Sequence, residues 1–394
     1  MAILRSFVSV CFWVTAVLVA IIAMFVGWLS QTWLPEGHLF ATLIPLLVGG
    51  KPPPPIFGAW SVPLTPPVPD DATPKRRPYN EILIETPRGD KIPANGLGMC
   101  CRPSAYDDES VRRTVLHFLL SGGRHIDTAQ LYLNHKPIGL AIEEAVRRGV
   151  PRKEIWITTK LAERFYDRGE AAILGMLRSW LAELRIKQLE MVLLHVAEPL
   201  LPLPSFAHTC QDWAMCRRSA WQTLAKAVDQ GLVRNIGVSN FNIEQIKSLR
   251  ELNVAPIAAN QIMINPFAPQ WVFDIADYCQ EHGIVVTAWA PLSGTTMQTM
   301  NAINDVVVQS IAHNYSGRAL PSGQKAPSTA QIILRWALQK GYTIIPGSGN
   351  PTHQVENLEI YNFELSNDDM KRMESLKDSP GFMYGGPAYM KPGH

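Results

Sequence analysis

Four side chains that could together move a proton stand at or just after the ends of short apolar runs. Asp127 ends the run RHID, with Tyr132 five residues later, Lys160 ends IWITTK, and His195 ends MVLLH. A phenol has a pKa near 10, which a nearby ammonium lowers because it favours the phenolate. An aspartate would hold that lysine in place, and a histidine could orient a carbonyl oxygen. The set therefore suits protonation of an alkoxide as it forms.

Polar or aromatic side chains also follow most of the other apolar runs. Ser239 and Asn240 end NIGVSN, Gln261 closes AANQ, Trp289 closes VVTAW, and Ser348 follows TIIPG. A single residue of this kind would be explained most simply as a cap of a strand end. Repetition along the chain indicates one shared mouth lined with functional groups, where the indole could stack on a flat cofactor ring.

The elements that must position these residues are short strands alternating with amphipathic helices, after an opening pair of strands around a turn at 88–90. Eight strand-helix repeats predict an α/β fold of the (β/α)8 TIM barrel type, with its chemistry at the carboxyl ends of the strands. A doubly wound open sheet is the alternative, weakened because no G-x-G-x-x-G follows a strand. The predicted barrel strands are 94–98, 124–127, 155–159, 191–195, 235–239, 258–262, 284–289 and 343–346.

The chain divides into three zones. The run 7–29 contains no charged residue and is long enough to cross a bilayer, so residues 1–30 are predicted to be a transmembrane helix that anchors the protein. A cleaved signal peptide and a buried core helix are the alternatives. Residues 31–78 form a proline-rich linker, and residues 79–394 form the barrel.

The predicted anchor makes the lipid bilayer a partner and the protein a single-pass membrane protein. The endoplasmic reticulum is one candidate membrane. Arg5 before the span and Lys51 after it weakly favour a cytosolic amino terminus, which would place the barrel on the other side of the membrane. The supply of cofactor favours a cytosolic barrel instead. The side on which the barrel lies therefore stays open.

Composition excludes several classes of function. Hydrophobic residues make up 47% and charged residues 18%, and the formal net charge is only +2, so a globular protein is expected and a nucleic-acid partner is not. The six cysteines show neither metal-type spacing nor a regular disulfide framework, and His208 with Cys210 is too small a set for a metal. The adjacent Cys100 and Cys101 are interpreted as residues of the barrel mouth.

Several blocks in a fixed order carry a resemblance to a known family. GGRHIDTAQLYLN, WITTKL, LLHV, GLVRNIGVSNF, AANQIMINPF and TAWAPL resemble the signatures of the aldo-keto reductases, over about residues 81–366. The resemblance implies that a hydride passes from NADPH or NADH to an aldehyde or ketone. The cofactor would carry the hydride chemistry, while the protein would position and polarise the reactants.

The resemblance also implies a role for individual residues. Tyr132 would be the general acid, tuned by Lys160 and Asp127, and His195 would orient the carbonyl. The nicotinamide carboxamide would be held by Ser239, Asn240 and Gln261, and its ring would stack on Trp289, where the family usually has tyrosine. The remaining cofactor-binding positions would be Pro291 and Leu292 in the block TAWAPL, Ser348 and His353 at the adenosine-side phosphate, and Glu356 and Asn357 at the adenine.

Departures from the family pattern put the choice of cofactor in doubt. The block IPKS reads Ile-Pro-Gly-Ser here, so Gly347 stands where a lysine is expected, and His353 stands where an arginine is expected. Both cations would bind the 2′-phosphate of NADPH, and histidine carries charge only when protonated. NADPH and NADH are therefore predicted to be used within about tenfold of each other, because each lost cation removes a charged hydrogen bond. The alternative is that Lys325, Lys340 or another loop cation binds the phosphate.

Two further departures concern the substrate side. His-Trp-Pro is replaced by His195-Val196-Ala197, and the tryptophan expected in the first barrel strand is replaced near Cys100. The segment 198–219 is rich in proline, leucine and aromatic residues, which favours an apolar pocket for aromatic, lipidic or isoprenoid carbonyls, although a loop that packs on itself explains it equally well. No substrate can be inferred from the second long loop, 293–327.

A function of another class is a sensor that binds the cofactor without catalysis and regulates a membrane protein. The predicted anchor and the missing phosphate cations favour it. The complete set of Tyr132, Lys160, Asp127 and His195 favours an enzyme, because a binding module does not need all four groups.

Overall fold

The computed structural model describes residues 65–78, 81–199, 210–293, 302–317, 319–379, 387 and 390–391. Its first elements are two antiparallel strands, β1 (Leu83–Glu85) and β2 (Lys91–Pro93), joined by a turn in which Gly89 has a φ of +83°. Ile92 of this hairpin packs against Trp156 and Val285, the first residues of two barrel strands. The hairpin therefore covers the amino-terminal end of the barrel.

Eight parallel strands form the barrel, as the sequence predicts. They are β3 (Leu97–Gly98), β4 (His125–Asp127), β5 (Trp156–Leu161), β6 (Leu189–Leu194), β7 (Val233–Ser239), β8 (Ala259–Met263), β9 (Val285–Trp289) and β10 (Thr343–Ile344). Each strand pairs with the next along the chain. The sheet closes where Gly96 donates to the carbonyl of Ile344 and Ile344 donates to that of Ala94. This closure excludes the open-sheet alternative.

Helices surround the barrel and bury their apolar faces on the strands. In chain order they are α1 (Asp108–Leu120), α2 (His135–Arg147), α3 (Glu170–Leu184), α4 (Trp213–Asp229), α5 (Ile243–Arg250), α6 (Gln270–Glu281), α7 (Val306–Asn314), α8 (Thr329–Gln339), α9 (Pro351–Leu358) and α10 (Asn367–Glu374). Local sequence defines where several of these helices begin. Asn242 before α5 and Ser328 before α8 each form a capping box with the glutamine three residues later. The strands supply buried apolar runs such as that of β6 to the shared core.

Residues 65–78, which the sequence assigns to the linker, lie along α1 and are called the arm below. The Thr65 hydroxyl is within 2.9 Å of the Thr114 hydroxyl, and it donates to the Gly349 carbonyl at 3.1 Å. The amide of Lys75 donates to the carbonyl of Leu120 at 2.7 Å. Thr65 is only 1% exposed. This stretch therefore packs as part of the barrel unit, while the boundary predicted after residue 78 stays a prediction.

Within the described ranges no helix is long and apolar enough to span a bilayer. The predicted transmembrane run 7–29 lies outside these ranges, as do residues 1–64 as a whole.

Two pairs of cysteine sulfurs are bonded, which the sequence did not predict. Cys210 and Cys216 pair across the start of α4, and the adjacent Cys100 and Cys101 pair in the loop that follows β3.

Candidate active site

Parallel strands deliver the predicted residues to one end of the barrel. Asp127 is the last residue of β4, Lys160 lies near the end of β5, and His195 directly follows β6. Tyr132 lies on a single 3-10 turn, Gln130–Tyr132, in the loop that leaves β4. The fold therefore brings together the four residues predicted to be catalytic.

Asp127 and Lys160 form a buried ion pair. The Lys160 Nζ donates to the Asp127 Oδ1 at 2.6 Å and to the carbonyl of Thr128 at 2.8 Å. The two side chains are 3% and 1% exposed. Burial lowers the pKa of Lys160, and the Asp127 carboxylate opposes that shift. An ammonium in this position persists because its carboxylate partner offsets the loss of hydration.

Gln261 supports the carboxylate from a strand on the other side of the barrel. Its Nε2 donates to the Asp127 Oδ2 at 2.7 Å, so both carboxylate oxygens have partners. The resemblance implies that Gln261 holds the nicotinamide carboxamide, whereas this contact also makes it part of the ion-pair network. The two positions lie 134 residues apart, and sequence reasoning missed the link.

The ring of Tyr132 lies between Lys160 and His195. The Lys160 Nζ is 5.2 Å from the centroid of the phenol ring, and the His195 ring meets it edge-on with centroids 5.8 Å apart. Burial raises the pKa of Tyr132 well above its ordinary value, and the negative charge of Asp127 adds to the rise. The net shift is therefore upward, opposite to the lowering expected from a nearby ammonium, because burial is its largest cause. The phenol therefore remains protonated at neutral pH.

His195 is a neutral imidazole. Burial, followed by the charge of Lys160, lowers the pKa of His195 to about 3. Its Nδ1 is buried and, within the described residues, has no hydrogen-bond partner. A neutral imidazole can donate its ring N–H to a carbonyl oxygen, but it does not act as an imidazolium acid at neutral pH.

Side chains at the carboxyl ends of β7 and β9 form a second hydrogen-bonded group. Asn240 Nδ2 donates to the Ser239 hydroxyl at 3.0 Å and to the backbone carbonyl of His195 at 3.2 Å, while Trp289 Nε1 donates to Asn240 Oδ1 at 3.0 Å. Asn240 adopts a φ of +59°, a conformation that asparagine tolerates better than most residues. The indole N–H thus fixes the half-buried ring of Trp289, and Pro291 and Leu292 follow it in a turn.

The remaining predicted cofactor residues lie on the loop after β10 and on α9. The Ser348 hydroxyl accepts from the amide of Asn350 at 3.1 Å, just before α9. His353 is exposed on this helix and Glu356 is half-buried. The backbone carbonyl of Asn357 accepts from Asn95 Nδ2 at 2.6 Å, which ties α9 to the start of β3. These residues form a group of their own beside the first and last barrel strands.

The donor set fits a nicotinamide dinucleotide. Hydroxyl and amide groups stand beside a fixed, half-buried indole at one part of the mouth, and a serine precedes a helix start at another. Among the residues that the structure describes, Nδ1 of His195 has no partner, which leaves a polar contact for a substrate oxygen. Of the segment predicted to line the substrate pocket, residues 200–209 lie outside the described ranges, so the apolar substrate stays a prediction.

Comparison with known proteins identifies the family. The family model of the Aldo/keto reductase family matches residues 95–378. D-galacturonate reductase from Fragaria ananassa is 30% identical over 302 residues, covering 74% of this chain and 89% of that protein. Aldo-keto reductase family 1 member A1 from Sus scrofa is 30% identical over 314 residues, covering 77% and 90%. The chain belongs to the aldo/keto reductase family, and the resemblance seen in the sequence is confirmed.

Solved structures agree with this assignment. The crystal structure of an aldo-keto reductase from Bombyx mori in complex with NADP superposes with a TM-score of 0.65 at 28% identity, covering 77% of this chain and 94% of that one. The aldose reductase from Schistosoma japonicum gives a TM-score of 0.63 at 29% identity, covering 75% and 92%.

Proposed function

We propose that this chain reduces aldehydes or ketones to alcohols with NADPH or NADH as the hydride donor, and that Tyr132 supplies the proton. The observation that carries the proposal is the buried Asp127–Lys160 pair beside Tyr132 and His195. Membership of the aldo/keto reductase family and the NADP bound in the Bombyx mori structure support it.

The reduced nicotinamide, when bound, supplies the hydride that adds to the carbonyl carbon. The neutral imidazole of His195 would orient the carbonyl oxygen by donating a ring N–H from the nitrogen that has no partner among the described residues. Tyr132 would give its phenolic proton to that oxygen as negative charge develops there. The raised pKa of Tyr132 keeps this proton in place until an alkoxide, a stronger base than a phenolate, begins to form.

Lys160 would act after the proton has left. Its Nζ lies 5.2 Å from the phenol centroid, close enough for its charge to stabilise the phenolate in a dry site. Asp127 holds Lys160 and Gln261 holds the Asp127 carboxylate, so both would act as positioning residues in addition to any contact of Gln261 with the cofactor. Ser239 and Asn240 would bind the carboxamide, and the fixed indole of Trp289 would stack on the nicotinamide ring.

Changing Tyr132→Phe tests the proposal. Turnover of 4-nitrobenzaldehyde, followed as loss of NADPH absorbance, should fall about 100- to 10,000-fold, the range for removal of a general acid. Cofactor affinity, measured by quenching of tryptophan fluorescence, should stay within about threefold because the phenol oxygen is expected to contact substrate only. Tyr278→Phe, on the outer helix α6, is the matched control and should change neither.

Two results would contradict this assignment. A Tyr132→Phe variant that keeps more than about a tenth of the wild-type turnover would exclude the phenol as proton donor. Wild-type protein that binds NADPH but reduces no reactive aldehyde would instead favour the sensor.

We also propose that residues 7–29 anchor the protein in a membrane, on the strength of their length and lack of charge. Full-length protein should remain in the pellet after carbonate extraction, and recovery in the supernatant would exclude a spanning anchor. Protease protection of the barrel in sealed microsomes would then show on which side the catalytic domain lies.

A further inference from the structure

Position 347, where the family resemblance implies a lysine, is filled from elsewhere in the chain. A Cβ added to Gly347 would lie 2.7 Å from Nη1 of Arg102 and 3.3 Å from the carbonyl of Gly98. Arg102 belongs to the loop that leaves β3, the first barrel strand, whereas Gly347 follows β10, the last one. Since these two strands are neighbours in the closed barrel, a side chain from the first loop occupies the space that the last loop leaves empty.

The guanidinium of Arg102 is fixed in this space by neutral groups. Nη1 donates to the Gly98 carbonyl, Nε donates to the Ser104 hydroxyl at 3.1 Å, and Nη2 lies 3.3 Å from the Met99 sulfur. None of the ion pairs within the described ranges includes Arg102. A half-buried cation held only by neutral acceptors has lost hydration without gaining a counter-charge, which favours an anionic ligand.

Arg102 stays charged in this environment. Burial lowers the pKa of Arg102 to about 10, which still leaves the guanidinium protonated at neutral pH. Ser348, which the resemblance places at the adenosine-side phosphate, directly follows Gly347. A planar guanidinium can donate two parallel hydrogen bonds to a phosphate, so it is a stronger substitute for a lysine than His353 is.

The other cations considered from the sequence are less suited. The Nζ of Lys340, at the carboxyl-terminal end of α8, is 3.0 Å from the Glu374 carboxylate. Lys325 and His353 are both exposed, so water competes for the charge of either side chain.

We propose that Arg102 binds the 2′-phosphate of NADPH and that Gly347 is required to admit it. The phosphate-binding charge has been exchanged between two neighbouring loops of the barrel rather than lost. This inference rests on the proposed function, since it assumes a nicotinamide dinucleotide at the mouth. It replaces the expectation of near-equal use of the two cofactors with a preference for NADPH.

Equilibrium binding to the full-length protein in detergent tests the exchange. Isothermal titration calorimetry with Arg102→Met should weaken NADPH binding at least tenfold and NADH binding less than threefold, because only NADPH carries the 2′-phosphate. Arg178→Met, the same chemical change on the outer face of α3, should alter neither affinity.

The reverse exchange gives a second and sharper readout. Gly347→Lys alone should weaken NADPH binding, since its side chain meets the guanidinium of Arg102. Gly347→Lys combined with Arg102→Met returns the cation to position 347 and should restore NADPH binding to within about threefold of wild type. This rescue would not occur if Arg102 served only to hold the loop.

The outcomes separate the inference from the proposed function. Wild-type binding of NADPH that Arg102→Met leaves unchanged would overturn the inference alone. Equal weakening of NADPH and NADH would place Arg102 on a group that both cofactors share and would overturn the exchange as well. A chain that binds neither cofactor would overturn both the inference and the proposed reductase activity.

Discussion

The buried ion pair allows a quantitative prediction for Lys160→Met. Methionine has a similar length but no charge, so the change leaves the Asp127 carboxylate 3% exposed with Gln261 as its remaining side-chain donor. Removing one partner of a buried ion pair typically costs about 3 to 5 kcal/mol, since the other charge stays without compensation.

The variant can avoid that cost only by protonating the carboxyl group. Protonation costs about 1.36 kcal/mol for each pH unit above the ordinary carboxyl value near 3.9, which is roughly 4 kcal/mol at pH 7 and about 1.5 kcal/mol at pH 5. The folded variant then binds a proton that the unfolded chain does not hold, so its stability falls as pH rises. We expect a loss of about 3 to 4 kcal/mol at pH 7 that shrinks to about 1.5 kcal/mol at pH 5.

Urea unfolding followed by tryptophan fluorescence measures this loss at both pH values. Asp127→Asn combined with Lys160→Met should recover at least half of the loss at pH 7, because no buried charge remains. Lys226→Met, which breaks an ion pair with Glu170 that is about half exposed on both sides, is the matched control and should cost less than about 1 kcal/mol. A Lys160→Met variant within 1 kcal/mol of wild type at pH 7, or a loss equal at both pH values, would refute the reasoning.

Three further predictions concern the mouth and the barrel. Trp289→Phe removes the indole N–H that holds the neighbouring asparagine, and calorimetry should show cofactor binding weakened about five- to tenfold, equivalent to one hydrogen bond. Because burial lowers the pKa of His195 to about 3, the imidazole should not titrate between pH 5 and 8. The pH profiles of kcat/KM for the wild type and for His195→Gln should therefore show the same inflections in this range, and an inflection that is lost in the variant would contradict the prediction. Gly98→Ala places a Cβ 2.6 Å from the backbone carbonyl of Ile345, just after β10, and should lower the unfolding free energy by about 1 to 3 kcal/mol. Gly175→Ala on α3, where nothing lies within 4 Å of the added Cβ, should raise it by about 0.5 to 1 kcal/mol. Urea unfolding distinguishes the two, and equal effects would contradict the packing argument.

The sequence predicted the barrel and the residues at its mouth because both depend on local patterns. A buried apolar run followed by a polar residue marks a strand and its exit, and this rule located Asp127, Lys160 and His195 without any knowledge of their contacts. The boundaries of the strands were less accurate, as in β10, which is only two residues long.

What the sequence could not predict are contacts between distant loops. Arg102 and Gly347 are neighbours only because the barrel closes. In the sequence alone, Arg102 is an ordinary loop residue, and Gly347 shows only that the expected lysine is absent. The rise in the pKa of Tyr132 likewise depends on burial and on where the Lys160 ammonium points, neither of which spacing along the chain determines. A cation just after the first barrel strand was the one available signal for Arg102.

The arm has a practical consequence for making a soluble form of the protein. A cut after residue 77 would remove the run that is predicted to anchor the protein, but it would also remove Thr65 and its contacts with the Gly349 carbonyl and with Thr114. Gly349 lies two residues from Gly347, so such a truncation would loosen the same loop on which cofactor discrimination is proposed to depend. A truncated protein that begins before Thr65 retains these contacts, and its cofactor preference is the one to compare with that of the full-length chain.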